Sequence, residues 1–237
     1  MTDSLVPAAQ PLAVVARGIT QTGPWGPVFG PLDLDIPASG LTILRAEAGP
    51  PRTALVMTLS GRMKAKTGTI DVFGRTNARA IFDCASLAGV PDLDDVYASV
   101  RVVDLLTEKI RWDARWYRVI RKATQTDLER ICHPVFGDRP LPDLGTYVEE
   151  LPELDGLLLR VALANSQPRP LLVVGSIDQV ASHDDHRFLV NRLVALGQSQ
   201  TVVTTTVNHV DAALGYRTLI DVPSMLTSTV DAGSEEK

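Results

Sequence analysis

The residues best placed to do chemistry are 46–53, AEAGPPRT. An apolar run (41–45, LTILR) leads into a loop of Gly and Pro, and a basic residue followed by Thr opens the next helix near Arg52. That is the layout of a phosphate-binding loop, in which successive backbone N–H groups and the positive helix end hold an anion. Against the pattern G-x-x-x-x-G-K-[ST], three of the four fixed positions differ. Ala46 stands for the first Gly, Pro51 for the second and Arg52 for Lys, while Thr53 fits. Proline has no N–H, so Pro50 and Pro51 delete two candidate donors. A hydrogen bond to a charged group is worth roughly 1.5–3 kcal/mol, so their loss weakens binding by about 3–6 kcal/mol. In affinity this is on the order of a hundred- to ten-thousand-fold. Arg52 still reaches a phosphate, as a planar fork instead of a point charge. A second reading needs no ligand: Pro in the first turn is a favourable helix start, and the stretch is then a cap.

Three other groups invite chemistry. His183, Asp184, Asp185 and His186 read HDDH, a metal-like cluster or, at a helix start, ordinary dipole-complementing acids. Between 111 and 122, Trp112, Trp116 and Tyr117 alternate with Arg111, Arg115, Arg118, Arg121 and Lys122. Such a patch fits nucleic acid, an acidic lipid surface or a docking helix. The plainer expectation is that the aromatics pack inward while the arginines stay wet. Cys84 and Cys132 lack metal-ligand spacing and read as reduced residues without a chemical role.

The elements that position these residues follow from periodicity. The N-terminal part alternates short strands: 12–17, an edge-like 31–36 after a turn-rich loop at 23–30 that holds Trp25, the phosphate-loop strand, and 69–73. An apolar run at 81–85 precedes a loop at 86–96 with Asp92, Asp94 and Asp95. Apolar residues at 100, 102, 103, 105, 106 and 110 mark a helix, and 134–142 reads as a loop. The C-terminal half alternates helix (151–165), buried strand (170–174), a helix capped by Ser182 (182–196), a β-branched strand (201–207) and a final strand near 216–222. That alternation predicts a doubly wound parallel sheet.

With 237 residues, 45% of them hydrophobic, the chain can bury a full core. Its net charge of −5 argues against a nucleic-acid surface. No apolar run approaches the roughly 18–20 residues of a membrane span, and MTDSLVPAAQ lacks the basic start of a signal peptide. The expectation is a soluble intracellular protein.

Laid out in order, residues 12–222 resemble the ATP-binding subunit of ABC transporters. WGPVFGPLDLDIPASGLTIL is similar to the family's adenine-stacking loop, antiparallel strands and Walker A strand; LSGRMKAKTGTIDVFGR to the segment after the phosphate loop; RVALAN to the helix after the signature; and PRPLLVVGSIDQV to the Walker B strand. Arg52-Thr53-Ala54, Gly61-Arg62-Met63, LAGVPDLDD and ELDGLLLRVALA look more specifically like a divergent actinobacterial branch paired with YhgE/Pip-type membrane proteins. The resemblance implies an α/β P-loop NTPase fold with an antiparallel β subdomain and a helical subdomain near 95–165. The domain would span 11–225 between tails at 1–10 and 226–237.

It further implies ATP and Mg²⁺ as ligands. Trp25 would stack adenine, or else be a half-buried core residue; Glu47, Ala48, Gly49, Arg52 and Thr53 would line the phosphates; the switch histidine falls near Val207–Asn208, with His209 in register given a small bulge; and Thr53 would hold the metal, with Asp178 if the loop after the strand is reshaped. The implied partners are an integral membrane subunit and a homo- or heterodimer with another cassette subunit, at the inner face of the membrane. The functional motifs depart from the pattern. The Walker B Asp and catalytic Glu correspond to Gly175 and Ser176, and the signature to Glu153-Leu154-Asp155-Gly156-Leu157, where only Gly156 matches. The Q-loop glutamine, expected near Ala85–Ser86, is missing. A degenerate subunit with weak or no hydrolysis is therefore expected; the alternatives are an ATPase with rearranged ligands and a scaffold that binds no nucleotide.

Overall fold

Alternate side chains of the central strands point into two different cores, and this division organises the molecule. The computed structural model describes residues 10–91, 93–94, 99–115, 117, 119 and 121–223. Asp92, Asp95, Trp116, Arg118 and the tail residues 1–9 and 226–237 lie outside the described residues. A parallel sheet has the order β5-β6-β7-β3-β8, formed by Ala85–Ala88 (β5), Leu171–Ser176 (β6), Thr201–Thr206 (β7), Gly40–Arg45 (β3) and Thr218–Asp221 (β8). Along β6, Leu172 and Val174 enter one core while Leu171 and Val173 enter the other; Val202 and Val203 of β7 divide in the same way. Strands buried on both faces are rich in aliphatic and β-branched residues, which is why these stretches were legible.

The first core lies beneath α3 (Val102–Asp113), α4 (Gln125–Phe136), α5 (Glu153–Ala164) and α6 (His183–Gly197). The second lies beneath α1 (Pro50–Leu59), α2 (Ala78–Cys84) and a three-stranded antiparallel sheet of order β2-β1-β4, from Leu12–Gly23 (β1), Gly26–Pro37 (β2) and Thr67–Val72 (β4). No helix among the described residues is long and apolar enough to cross a membrane.

Several sequence expectations shift. The strand expected at 12–17 runs on to Gly23, and the expected loop at 23–30 contracts to a turn at Pro24-Trp25 between two 12-residue strands. Buried Ile19, Gln21 and Phe29 continue the inward face past a bulge at Gly18, whose N–H donates to Asp33 Oδ1 at 2.6 Å. Ile81 belongs to a helix capped by Asn77, and Ala85–Ala88, of which 86–88 were expected in a loop, is a buried strand at the edge of the sheet, paired with β6. Its polar Ser86 had masked the run. The loop expected at 134–142 begins only after Phe136, because α4 continues through Pro134. Arg192 caps the resulting helix end: Nη2 donates to the Pro134 carbonyl at 2.9 Å and Nε to that of Val135 at 2.8 Å.

Of the aromatics of 111–122, Trp112 and Tyr117 do not pack inward as expected. Trp112 is 79% exposed and Tyr117 59%. Helix α3 buries Val102, Val103 and Leu106, and Trp112, six residues past Leu106, lies about 240° around the helix from it.

Candidate functional site

In a parallel α/β sheet, loops at the carboxyl ends of the strands converge on one edge. Here the ends of β6 and β7 meet the N-terminus of α1 across a cleft of about 920 Å³. Gly49 caps α1 at φ 122°, a conformation that side chains other than hydrogen rarely adopt. Pro50 and Pro51 fill the first two helical positions, so α1 starts two residues before the expected Arg52. Of the first turn only Arg52 and Thr53 keep an N–H, and that of Thr53 already donates to the Gly49 carbonyl at 3.3 Å. The loop is therefore a proline-started cap with little amide surface left for an anion.

Arg52 points into the cleft and meets Asp178, Nη1 to Oδ2 at 3.2 Å, with each side chain 17% exposed. Asp178 lies on a single 3-10 turn, Ile177–Gln179, directly after β6. Its Oδ1 accepts from the Thr206 hydroxyl at 2.6 Å and Asn208 Nδ2 at 3.1 Å. Its Oδ2 accepts from the Ser176 hydroxyl and the Val207 N–H, both at 2.9 Å. Burial alone would raise its pKa, but the bonds from Thr206, Val207, Ser176 and Asn208 outweigh it and hold the carboxyl below the usual carboxylate range. The carboxylate thus stays charged, and five donors surround it.

The other expected residues scatter. Gly49, Arg52, Thr53 and Asp178 line the same cleft. Glu47 and Ala48 are exposed on the loop before it and are not among the residues lining it. Trp25 is 99% exposed at the tip of the β1–β2 turn, so it is no core residue; its neighbour Pro24 lines the cleft. His209 lines a neighbouring hollow of about 580 Å³ with His183 and His186, and Asp178 forms the wall between the two. Burial lowers the His186 imidazole pKa against the opposite pull of Asp178. Among the described residues no group of three or more His, Cys, Asp or Glu is arranged to hold a metal ion.

The backbone leaves no room for an acid at Gly175, the position expected to match the Walker B Asp. The register of β6 on β7 shifts between Val173 and Ser176, and this brings Gly175 against β5's end. A Cβ built there collides with the carbonyl oxygen of Gly89, so no side chain fits without moving backbone. Gln179 fastens the same place, its Nε2 donating to the Gly89 carbonyl at 2.7 Å and the Ser176 carbonyl at 2.8 Å. At the signature position, Asp155 accepts from Arg139 Nε at 2.5 Å, and Arg139 also lies over the Phe188 ring. These residues do not fit Mg²⁺–ATP. Both Asp178 oxygens carry protein donors, Arg52 is paired, and the amide cradle is cut by two prolines.

Sequence reasoning missed Ser176, Gln179, Thr206 and Asn208 as partners at this site. The available signal was their position, polar residues at the carboxyl ends of two otherwise apolar or β-branched strands.

The architecture is that of an ATP-binding cassette: a P-loop-type α/β core with an antiparallel β sheet on one side and a helical region on the other. Among solved structures it is similar to an ATP-binding cassette of an ABC transporter in its ADP conformation (TM-score 0.68, 11% identity, 90% of each chain). It is also similar to a nucleotide-free cassette from an ABC transporter (TM-score 0.66, 11% identity, 90% of each chain). A third is cbiO1 from Clostridium perfringens, part of the ABC transporter complex cbiONQ (TM-score 0.64, 10% identity, 84% of this chain and 80% of that one). At such identities the likeness carries the fold alone. No protein-family model and no curated sequence matches the chain.

Proposed function

We propose that this chain is the cassette subunit of a membrane transport or export system, and that it has kept the fold while losing hydrolysis. The observation that carries this reading is the Arg52–Asp178 pair: the phosphate-loop cation is engaged by an internal carboxylate that four further donors hold in place. Gly175 and Ser176 stand where the magnesium ligand and catalytic base of an active cassette are expected, so any turnover in the complex comes from another subunit. The subunit docks through its helical region, about residues 95–165, on an integral membrane partner and pairs with a second cassette at the inner membrane face. The motifs Arg52-Thr53-Ala54 and Gly61-Arg62-Met63 support a YhgE/Pip-like partner.

Calorimetry of the purified protein with ATP, with and without Mg²⁺, tests the proposal. The expected result is weak binding or none, no dependence on Mg²⁺, and no steady turnover. Turnover abolished by Arg52→Ala would overturn it. Micromolar, Mg²⁺-dependent affinity lost in Asp178→Asn would favour an ATPase with rearranged ligands, with Thr53 and Asp178 on the metal and His209 at the γ-phosphate. The doubled Pro50-Pro51 favours a different second reading, a scaffold that binds no nucleotide at all. Capture of a membrane partner that is indifferent to ATP and to Arg52→Ala supports it.

A further inference from the structure

The cleft does not use the basic-aromatic stretch, which lies within the helical region proposed above to dock on a membrane subunit. Between 111 and 122 the chain carries Arg111, Arg115, Arg118, Arg121 and Lys122 against the single acid Asp113, a net of +4 in a chain of net −5. Trp112 is 79% exposed, Tyr117 59% and Val119 96%. Three of the eight large apolar side chains exposed among the described residues thus fall within eight positions, which is a patch and not scattered surface.

The acids nearby are already engaged. Asp113 accepts from Lys109 at 2.7 Å and from the Ser166 hydroxyl at 2.8 Å. Glu108 accepts from the Trp112 indole N–H at 3.3 Å, and Asp104 lies 4.0 Å from the Lys122 ammonium. Arg115 donates to the Tyr117 hydroxyl at 2.9 Å, a neutral partner that leaves its charge uncompensated. Among the described residues Arg111, Arg115 and Arg121 make no salt bridge. The surface therefore offers free guanidinium groups beside exposed amphipathic rings. Arginine forks suit phosphate oxygens, and Trp and Tyr favour the boundary between headgroup and acyl chain. An aliphatic Val119 standing almost fully in water fits a surface that enters an apolar layer better than one that lies along a nucleic-acid backbone.

We propose that this face, the end of α3 and the segment after it, binds anionic phospholipid directly. Arg111, Arg115 and Arg121 engage headgroup phosphates while Trp112, Tyr117 and Val119 enter the interface. The contact requires neither a membrane subunit nor nucleotide, so it stands apart from the proposed transport role.

The test is flotation of the purified chain with vesicles of mixed phosphatidylcholine and phosphatidylglycerol, against phosphatidylcholine alone. Expected is binding to the anionic vesicles only, weakening as salt is raised. Each arginine near such a surface contributes about fivefold, so Arg111→Gln/Arg115→Gln/Arg121→Gln lowers binding about a hundredfold. Trp112→Ala lowers it by about tenfold, through lost ring insertion. All four side chains are exposed, and circular dichroism confirms that the variants stay folded. Three results would overturn the proposal: equal binding to neutral vesicles, an unaffected triple variant, or salt-sensitive capture of a single-stranded oligonucleotide with no vesicle binding.

Discussion

Replacing Asp178 by Ala should destabilise the protein far more than replacing Arg52, although the two side chains form one ion pair. The carboxylate accepts from five groups, and the hydroxyls of Thr206 and Ser176 that lose their acceptor belong to residues 0% and 7% exposed. A buried donor left without its charged acceptor costs roughly 1.5–3 kcal/mol. The other donors lie nearer the open cleft, where water replaces the acceptor. Two buried donors therefore set the loss at about 3–6 kcal/mol. Arg52→Ala removes one 3.2 Å contact and leaves the carboxylate four donors, a cost of about 1 kcal/mol. For a chain of this size each kcal/mol lowers Tm by about 2–4 °C, so the expected drops are about 6–24 °C against about 2–4 °C. Thermal unfolding followed by circular dichroism reads both. Acid adds a second axis. The carboxyl is held below its unfolded pKa, so its stabilisation is complete above the ordinary carboxylate range and disappears as pH falls through the folded value. The stability gap between the parent and Asp178→Ala should accordingly close below about pH 4. If Arg52→Ala costs as much as Asp178→Ala, or if the gap is indifferent to acid, Asp178 is not the keystone of this cleft.

Gly175→Asp, which rebuilds the expected magnesium ligand, should lower stability by about 2 kcal/mol or more and produce no ATPase activity, because a Cβ there meets the Gly89 carbonyl. A urea titration with a turnover assay checks both. Arg192→Ala should cost about 1–3 kcal/mol in the same titration, since it strips two hydrogen bonds from the end of α4. Both cysteines are buried and free, and burial pushes the Cys132 thiol up to about 12, so alkylation near pH 8 should be negligible until the chain is unfolded.

The parts of the fold that were legible in the sequence owe it to burial on both faces. LTILR, PLLVV and TVVTTT are strands because aliphatic and β-branched residues fill them, and Ser182 caps α6 as expected, accepting from the Asp185 N–H. Strand β5 was hidden because it is four residues long with Ser86 in it, and the end of α4 because Pro134 lies inside the helix and the last carbonyls are capped by Arg192, 58 residues away from Pro134. The site divided along the same line. Local geometry made the proline-started cap at residues 49–53 readable. What engages Arg52 was not, because Asp178, Thr206 and Asn208 come together only when β6 and β7 pair side by side.

A phosphate loop in a bare fold leaves a cation and a helix terminus facing each other without an anion, and ligand binding ordinarily relieves that. Here two prolines reduce the demand by removing N–H groups, and one carboxylate supplies the charge that remains. Gly175 belongs to the same solution. Because β5 and β6 close up where a metal-binding side chain would sit, the turn that follows carries Asp178 to the Thr206 hydroxyl and to Arg52. The residues at 50, 51, 175 and 178 are therefore coupled. A change at Gly175 alone meets the closed strand ends and an Asp178 already engaged, which is why the Gly175→Asp variant is expected to lose stability without gaining chemistry.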